Sequence, residues 1–156
     1  MRAVIIGCGY VGRVLGTLLR AGGHSVVGVA RSADSHAAIA RRGITPHAAD
    51  ITQPATVDAL PDAEWVVVAV SSGGGDAAAA RAVFETGLTT VIDSYAGRQM
   101  PPDRLVYTSS SSVYGDRDGA WVDETTAPAP QTEKTAVLAR AEEVAIDHSA
   151  AAGLDG

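Results

Sequence analysis

Hydrophobic residues along this chain are grouped in short continuous runs, and the stretches between these runs carry hydrophobic residues at helical spacing. A short continuous apolar run is typical of a strand that is buried on both faces of a parallel sheet. Runs of this kind predict strands at 3–6, 25–30, 44–49, 64–70 and 104–108. The stretches between and after them predict helices at 11–19, 32–42, 54–60, 76–95 and 132–146.

The alternation of strands and helices determines the fold class that we predict. Each of the first four helices connects two successive strands, and such crossovers are right-handed in nearly all proteins. We therefore predict an α/β protein with a doubly wound parallel sheet of the Rossmann type and the strand order 3-2-1-4-5. The sequence contains no internal repeat and no second domain, so residues 1–156 are interpreted as one domain.

Several residues predict how the helices begin and pack. Ser32 or Asp34 is expected to cap the second helix and Thr132 the last one, while Gly87 indicates close packing in the middle of the fourth. Gly22-Gly23 is expected to end the first helix. The apolar residues spaced to cover one face of the first helix are Val11, Val14, Leu15, Leu18 and Leu19.

The first predicted strand runs into the sequence Gly7-Cys8-Gly9-Tyr10-Val11-Gly12, which opens the first helix. Gly7 permits a tight turn, Gly9 allows the backbone to approach a pyrophosphate, and Gly12 allows the helix to pack closely on the sheet. A helix N-terminus offers unpaired N–H groups and a partial positive charge, which favour an anion. Because the turn lies between a strand and a helix, it predicts a dinucleotide-binding site.

The second predicted strand ends in Ala30-Arg31-Ser32, where a dinucleotide-binding fold distinguishes NAD from NADP. An NAD-binding protein usually has an acidic residue here that accepts a hydrogen bond from the ribose 2′-hydroxyl, whereas a 2′-phosphate requires a cation and hydroxyl groups. This segment supplies Arg31 and Ser32 and no acid, which favours NADP. The alternative is that Arg31 is only a solvated residue at a strand end.

Two more strands are predicted to end at the same edge of the sheet, where ligands bind in open α/β folds. Asp50 follows the third strand and could accept a hydrogen bond from an adenine amino group; the alternative is that it caps the next helix. The fourth strand is followed by the sequence Ser-Ser-Gly-Gly-Gly at 71–75. We expect this loop to flank the cofactor.

Composition excludes several kinds of partner and site. The 156 residues carry a formal charge of −6 and Lys134 is the only lysine, so no basic cluster favours nucleic acid or an anionic membrane. Cys8 is the only cysteine, which excludes an internal disulfide, and no Cys/His cluster has metal-site spacing. The N-terminal apolar run is too short to indicate export or membrane insertion. These features favour a reducing, cytoplasmic setting.

Two segments late in the chain narrow the function. They are Val-Tyr-Thr-Ser-Ser-Ser-Ser-Val-Tyr-Gly at 106–115 and Asp-Glu-Thr-Thr-Ala-Pro at 123–128. Together with the glycine turn they resemble the NAD-dependent epimerase/dehydratase family, the extended or atypical branch of the short-chain dehydrogenase/reductases, most of whose characterised members act on nucleotide sugars. The resemblance covers the chain from its first residue to its last. It implies a dinucleotide cofactor and a nucleotide-sugar substrate.

The resemblance also implies roles for individual residues. Ser110 matches the serine that hydrogen-bonds the substrate oxygen, and Tyr114 and Glu124 match positions near the substrate pocket. We take Ser110 and Tyr114 as the candidate catalytic residues and predict no metal ligand. The candidate cofactor-binding residues are Gly7, Gly9, Tyr10, Val11, Gly12, Arg31, Ser32, Asp50, Ala69, Val70 and Ser71.

Two departures from the family pattern bear on activity. The acid–base pair of the family is a Tyr with a Lys four residues later on the last helix, where the ammonium lowers the pKa of the phenol. In the register set by Glu142, Lys134 stands at the Tyr position and Leu138 at the Lys position. Family members also continue into a sixth strand and a domain that closes over the substrate. We therefore expect this chain to be the cofactor half of a longer parent.

Three functions remain open at this point. The first is an oxidoreductase or epimerase that moves a hydride between nicotinamide and a sugar carbinol, with Ser110 polarising the oxygen and an unidentified base; the isolated chain is then expected to be weak or inactive. The second is a dinucleotide-binding sensor or partner-binding module without chemistry, and the third is a truncated product without an independent role. The expected ligands are NADP, with NAD as the alternative, and a nucleotide sugar. A homodimer is left open.

Overall fold

A five-stranded parallel sheet forms the centre of the protein, with the strand order β3-β2-β1-β4-β5. The computed structural model describes residues 1–154. The central strand β1 is parallel to both of its neighbours, and Ile6 is in register with Val29 of β2 and Val68 of β4. The strands are β1 (Arg2–Ile6), β2 (Ser25–Ala30), β3 (Thr45–Ala48), β4 (Trp65–Val68) and β5 (Arg104–Tyr107). The predicted fold class and strand order are confirmed.

Helices cover both faces of this sheet. The α-helices are α1 (Tyr10–Ala21), α2 (Ala33–Ala40), α3 (Pro54–Asp58), α4 (Ala77–Arg81), α5 (Leu88–Ala96), α6 (Glu133–Glu143) and α7 (Ser149–Ala151). A π-helical segment, Ala82–Gly87, joins α4 to α5, and a second one, Val144–His148, joins α6 to α7. The turn Ser111–Tyr114 is a 3-10 helix. Within residues 1–154, every helix is too short or too polar to cross a membrane.

Successive residues of β1 face two separate hydrophobic cores. Val4 and Ile6 belong to the core that is shared with α3, α5 and α6. Ile5 belongs to the second core, together with Ile39 of α2 and Val67 of β4. Because both faces of the strand are buried, every position requires an apolar residue, which explains the continuous runs in the sequence.

The helix α1 packs on the sheet through two glycines. Gly12 and Gly16 are buried, and a Cβ atom at Gly16 would lie 2.5 Å from Ile44 Cδ1. This close approach brings the glycine side of the helix to the sheet, so the predicted apolar face is only partly covered. Two of its residues pack against the second core, Leu15 and Leu19. Three of its residues are exposed, namely Val11 (57%), Val14 (47%) and Leu18 (66%).

The predicted helix boundaries hold with small corrections. Ser32, and not Asp34, caps α2, since its side chain accepts a hydrogen bond from the Ser35 amide at 3.2 Å. Thr132 caps α6 as predicted. The predicted helix over 76–95 contains the π-helical segment, which ends at Gly87. A Cβ atom there would lie 2.7 Å from a side-chain carbon of Ile51, so the predicted close packing is confirmed.

Arg98, just after the end of α5, forms hydrogen bonds with the segment that follows α3. Its guanidinium donates hydrogen bonds to the Leu60 carbonyl at 2.8 Å and to the Asp62 carboxylate at 3.1 Å. It also lies 3.9 Å from the centroid of the Tyr95 ring. The Arg98 side chain is only 11% exposed, so water screens these contacts weakly. Such a residue contributes through charge-assisted hydrogen bonds and a cation–π contact at once.

We predict that Arg98→Ala lowers the free energy of unfolding by about 2–4 kcal/mol. A hydrogen bond with a charged donor contributes roughly 1.5–3 kcal/mol and a cation–π contact roughly 0.5–2 kcal/mol. Urea unfolding followed by circular dichroism measures the loss. Arg104→Ala, at an exposed position of β5, is the control and should change stability by less than about 0.5 kcal/mol. A loss below about 1 kcal/mol for Arg98→Ala would contradict the structural role.

Candidate functional site

The largest group of predicted site residues lines one cavity at the carboxyl edge of the sheet. The cavity has a volume of about 570 Å³ and lies beyond the ends of β1, β2 and β4. Ten of the predicted cofactor-binding residues line it, namely Gly7, Gly9, Tyr10, Val11, Arg31, Ser32, Asp50, Ala69, Val70 and Ser71. Gly12 is the exception, because it is buried on the side of α1 that faces the sheet. A Cβ atom there would lie 2.9 Å from Ile5 Cγ2, so Gly12 serves the packing of the helix.

Gly7 and Gly9 have different structural requirements within the glycine turn. Gly7 has a φ of +81°, and a Cβ atom on it would lie 2.6 Å from the Ala69 carbonyl oxygen. Gly9 has a φ of −84°, and the nearest atom to its Cβ position is the Gly7 carbonyl oxygen at 3.8 Å. The fold therefore requires glycine at position 7. At position 9 it leaves open space along the cavity.

The first turn of α1 presents free N–H groups to this cavity. The helix begins after Gly9 without a side-chain cap, and its first turn contains no acidic residue. Tyr10 and Val11, the first two residues of the helix, line the cavity. Helix N-termini leave such N–H groups without intrahelical partners and carry a partial positive charge. This end of the cavity is suited to a pyrophosphate, which needs no cationic side chain there.

Arg31 and Asp50 face each other at the end of β2. The guanidinium Nη1 lies 3.8 Å from Asp50 Oδ2, and the Arg31 side chain is 64% exposed. A pair at this distance on the surface contributes little to stability. Ser32 is occupied as the cap of α2, and Ser35 also lines the cavity, although the sequence did not single it out. The arginine is therefore loosely held beside two hydroxyl groups.

Asp50 is not the cap of α3. The residue before that helix is Gln53, which makes no side-chain cap, while Asp50 Oδ1 accepts hydrogen bonds from the backbone and the hydroxyl of Thr52 at 3.0 and 2.8 Å. Burial alone would raise the pKa of Asp50, but these hydrogen bonds and the nearby Arg31 outweigh it and lower the pKa below its usual value. The carboxylate is charged at neutral pH, and it borders the cavity.

The end of β4 continues into the loop 71–75 beside the cavity. The Ala69 amide donates to the Ile6 carbonyl at 2.8 Å, which extends the pairing of β4 with β1 by one residue. Val70 and Ser71 line the cavity. Beyond them Gly73 and Gly74 have φ values of +68° and +84°. The loop therefore begins at the cavity wall with Ser71, and its glycine positions directly follow that wall.

The candidate catalytic residues lie next to the cavity lining and not within it. Thr108 and Ser109 are the residues of this segment that line the cavity, because they follow directly on the end of β5. Ser110 caps the 3-10 turn, and its hydroxyl lies 2.8 Å from the Ser112 hydroxyl. Tyr114, at the end of that turn, is partly buried. The sequence pattern did not single out Thr108 and Ser109 as lining residues. Their position at the end of a strand is the signal that identifies them.

Tyr107 lines a different cavity, of about 740 Å³, between β5 and the helical segments from Glu142 to the residues after α7. Its hydroxyl is buried and has no hydrogen-bond partner within residues 1–154. Burial, reinforced by the charge of Glu142, raises the pKa of Tyr107 to about 12. A phenol with that pKa stays protonated at neutral pH. Tyr107 therefore does not supply the missing base.

No metal centre forms in the part of the chain that the structure describes. Three or more His, Cys, Asp or Glu side chains do not come together anywhere in residues 1–154. Cys8 is buried beneath the glycine turn, and burial raises the pKa of its thiol. It packs as a small apolar side chain in the second core.

The sheet order, the glycine turn and the cavity beyond the strand ends define a dinucleotide-binding α/β protein. The sequence matches the model of the NAD-dependent epimerase/dehydratase family over residues 3–154. The chain belongs to that family, as the resemblance in its sequence indicated.

Three relatives illustrate how far the similarity extends. Protein YeeZ of Escherichia coli (strain K12) is 34% identical over 151 residues, which cover 91% of this chain and 52% of YeeZ. A functionally unknown conserved protein from Silicibacter pomeroyi DSS is 28% identical, with a TM-score of 0.65 over 91% of this chain and 46% of that chain. UDP-glucose 4-epimerase of Thermus thermophilus, solved in complex with NAD, has a TM-score of 0.84 at 20% identity, over 99% of this chain and 52% of that chain. This chain spans about half the length of the curated relatives it matches.

Proposed function

We propose that this chain binds NADP(H) in the cavity at the carboxyl edge of its sheet and forms the cofactor-binding part of an NAD(P)-dependent enzyme related to the nucleotide-sugar epimerases and dehydratases. The observation that carries the proposal is the glycine turn with its open space at Gly9, next to free helix N–H groups. A dinucleotide needs close backbone approach at its pyrophosphate, which this geometry offers. The family assignment supports the same cofactor class.

Each part of the cavity has a defined task in this proposal. The amides of Tyr10 and Val11 hold the pyrophosphate, and Asp50 accepts a hydrogen bond from the adenine amino group. When it is bound, the nicotinamide ring donates or accepts a hydride. Thr108 and Ser109 form the wall of the cavity at the end where the nicotinamide ring would lie. The Ser110 hydroxyl, just outside, is the group that we assign to orient and polarise a substrate oxygen.

The preference for NADP over NAD rests on Arg31. Its guanidinium is 64% exposed and pairs with Asp50 only at 3.8 Å, so it is free to turn toward a phosphate. The hydroxyls of Ser32 and Ser35 lie on the same cavity wall. No acidic residue stands at 30–32 to accept from a ribose 2′-hydroxyl. NAD is the alternative cofactor, and the nearby Asp50 carboxylate is the feature that would favour it.

We predict that Arg31→Ala lowers the ratio of NADP⁺ to NAD⁺ affinity by about tenfold. A charge-assisted hydrogen bond to the 2′-phosphate contributes roughly 1.5–3 kcal/mol, less where water screens it. A factor of ten corresponds to about 1.4 kcal/mol. Titration calorimetry with both cofactors measures the ratio in the wild type and the variant. Arg41→Ala removes an exposed charge that lies outside the cavity and is the control. An unchanged ratio in Arg31→Ala would defeat the assignment.

A second candidate function is dinucleotide binding without chemistry, as a sensor or a partner-binding module. The observation that favours it concerns the residues that could form an acid–base pair in this chain. Tyr107 has a pKa of about 12 and lines another cavity. Lys134 and Leu138 stand at the two family positions on α6. Turnover of the cofactor distinguishes the two functions, and binding of the cofactor alone does not.

A further inference from the structure

Lys134 contacts the loop that follows β4. It lies in the first turn of α6, and its ammonium Nζ donates a hydrogen bond to the Gly75 carbonyl oxygen at 3.4 Å. The side chain is partly buried, and this residue is the only lysine in the sequence. The contact joins two segments that are 59 residues apart along the chain. The position of the loop is therefore linked to the position of α6.

The middle of the loop, at Gly73 and Gly74, has few other contacts. Within residues 71–75 its remaining hydrogen bonds are local: the Gly73 amide donates to the Ser71 hydroxyl at 3.3 Å, and the Gly75 amide to the Ser72 carbonyl at 3.4 Å. Gly73 and Gly74 have no neighbouring atom within 4 Å of their Cβ positions. In the part of the chain that the structure describes, Lys134 makes the one hydrogen bond that ties this loop to another element.

The end of α6 that carries Lys134 is itself held in place. Thr132 and Thr135 form a reciprocal capping box around the first turn. Glu133 makes an ion pair with Arg81 of α4, and α6 also packs against α4 and the 3-10 turn that contains Tyr114. Because the backbone of this turn is already fixed, the Lys134 contact costs side-chain freedom only. Lys134 can therefore hold the loop against a helix whose first turn is fixed by its own contacts.

The strand order identifies which half of a dinucleotide the loop would meet. The cavity wall runs from Arg31 at the end of β2, past Gly7 at the end of β1, to Ser71 after β4 and Ser109 after β5. With the adenosine at β2 and the pyrophosphate at β1, the second nucleoside must lie beyond β4 and β5. The loop tied by Lys134 therefore borders the nicotinamide half.

We propose that Lys134 is a positioning residue for the nicotinamide half of the cofactor, and that it acts by holding the loop 71–75 through the Gly75 carbonyl. This inference rests on the proposed function, because it assumes that a dinucleotide occupies the cavity. It goes further in assigning a role to a residue that stands where the family has a tyrosine. The role requires a cation with N–H donors, so arginine should replace lysine and methionine should not.

Two ligands and two variants test this role. The ligands are NADP⁺, which reaches both ends of the cavity, and 2′,5′-ADP, which carries only the adenosine half. The variants are Lys134→Met, which keeps the length of the side chain, and Lys134→Arg, which keeps the charge. Calorimetry measures each dissociation constant, and circular dichroism checks the fold. Lys134→Gln replaces the methionine variant if that one fails to fold.

We predict that Lys134→Met weakens NADP⁺ binding about five- to tenfold and changes 2′,5′-ADP binding less than about twofold, since one charge-assisted hydrogen bond is lost near one end of the ligand. Lys134→Arg should bind NADP⁺ within about threefold of the wild type. Equal losses for both ligands would mean a general structural role and would overturn the inference, as would no loss for either. A wild type that binds neither ligand would instead overturn the proposed function.

The single lysine offers an independent readout. Reductive methylation with ¹³C-formaldehyde labels Lys134 and the N-terminal amine, whose signals differ in chemical shift. The Lys134 signal should move when NADP⁺ is added and should stay in place with 2′,5′-ADP. The same movement with both ligands would contradict a role confined to the nicotinamide half.

Discussion

Gly9→Val is expected to abolish dinucleotide binding while leaving the fold intact. The Cβ position at Gly9 meets no protein atom closer than 3.8 Å, but the φ of −84° and ψ of −135° lie outside the regions that residues with a Cβ atom prefer. The added side chain therefore makes no clash and costs the folded protein backbone strain of about 1–3 kcal/mol. It would, however, fill the space through which the pyrophosphate must approach the first turn of α1. The variant therefore tests whether the ligand, and not the fold, requires glycine at position 9.

Titration calorimetry with NADP⁺ should show a loss of affinity of at least about 100-fold, or about 2.7 kcal/mol. The melting temperature should fall by no more than about 6–12 °C, the change expected for about 3 kcal/mol in a chain of this size, so the variant remains folded at 25 °C. If Gly9→Val binds NADP⁺ as well as the wild type does, the pyrophosphate does not lie at this turn.

Gly7→Ala is the contrasting variant in the same turn. The φ of +81° disfavours any residue with a Cβ atom, and that atom would lie 2.6 Å from the Ala69 carbonyl oxygen. Backbone strain and overpacking together should lower stability by about 3 kcal/mol or more. A melting temperature reduced by roughly 6 °C or more is therefore expected. The two glycines would then differ in kind, one serving the fold and the other the ligand.

The second large effect concerns catalysis by this chain alone. We expect it to turn over nucleotide sugars at least about 10²-fold more slowly than a family member with the Tyr/Lys pair, since general acid–base catalysis contributes about 10²–10⁴ in rate. Lys134 and Leu138 replace that pair in our alignment to the family pattern. Tyr107 cannot take over, because its pKa is about 12 and its hydroxyl is buried in the other cavity.

Formation or consumption of reduced nicotinamide, followed at saturating NADP⁺ or NAD⁺ with a panel of nucleotide sugars and simple alcohols, measures this activity. UDP-glucose 4-epimerase of Thermus thermophilus, assayed for its own reaction, gives the rate of a folded relative. Fast turnover that Ser110→Ala removes would contradict the expectation. It would point to Tyr114, or to a residue from a second copy of the chain, as the base.

The fold could be predicted from the sequence because its signals are local and mutually consistent. The continuous runs that contain Ile5 and Val67 require burial on both faces, and right-handed crossovers then leave the order 3-2-1-4-5. The glycine turn from Gly7 to Gly12 likewise indicated the edge of the sheet at which the cavity lies, because such a turn joins the end of a strand to the start of a helix. The capping of α6 by Thr132 is likewise a local property of the chain.

The features that could not be predicted from the sequence depend on contacts between distant segments. Gly16 lies so close to Ile44 that α1 places its glycine side against the sheet. Leu18 is therefore exposed to solvent, although its spacing predicts that it faces the core. The contact of Lys134 with Gly75 joins segments 59 residues apart. No periodicity encodes such a contact. The end of β5 is the one local signal that separates Ser109, which lines the cavity, from Ser110, which does not.

An NMR titration of the ¹⁵N-labelled chain with NADP⁺ tests the central claim most directly, because it reports where the cofactor binds. The amide signals of Tyr10 and Val11 should shift in a saturable manner, together with those of Arg31 and Ser71. Gly9→Val should remove these shifts and leave the rest of the spectrum unchanged. Saturable shifts confined to residues outside this cavity, or none at about 1 mM cofactor, where binding would be no stronger than about −4 kcal/mol, would contradict the account.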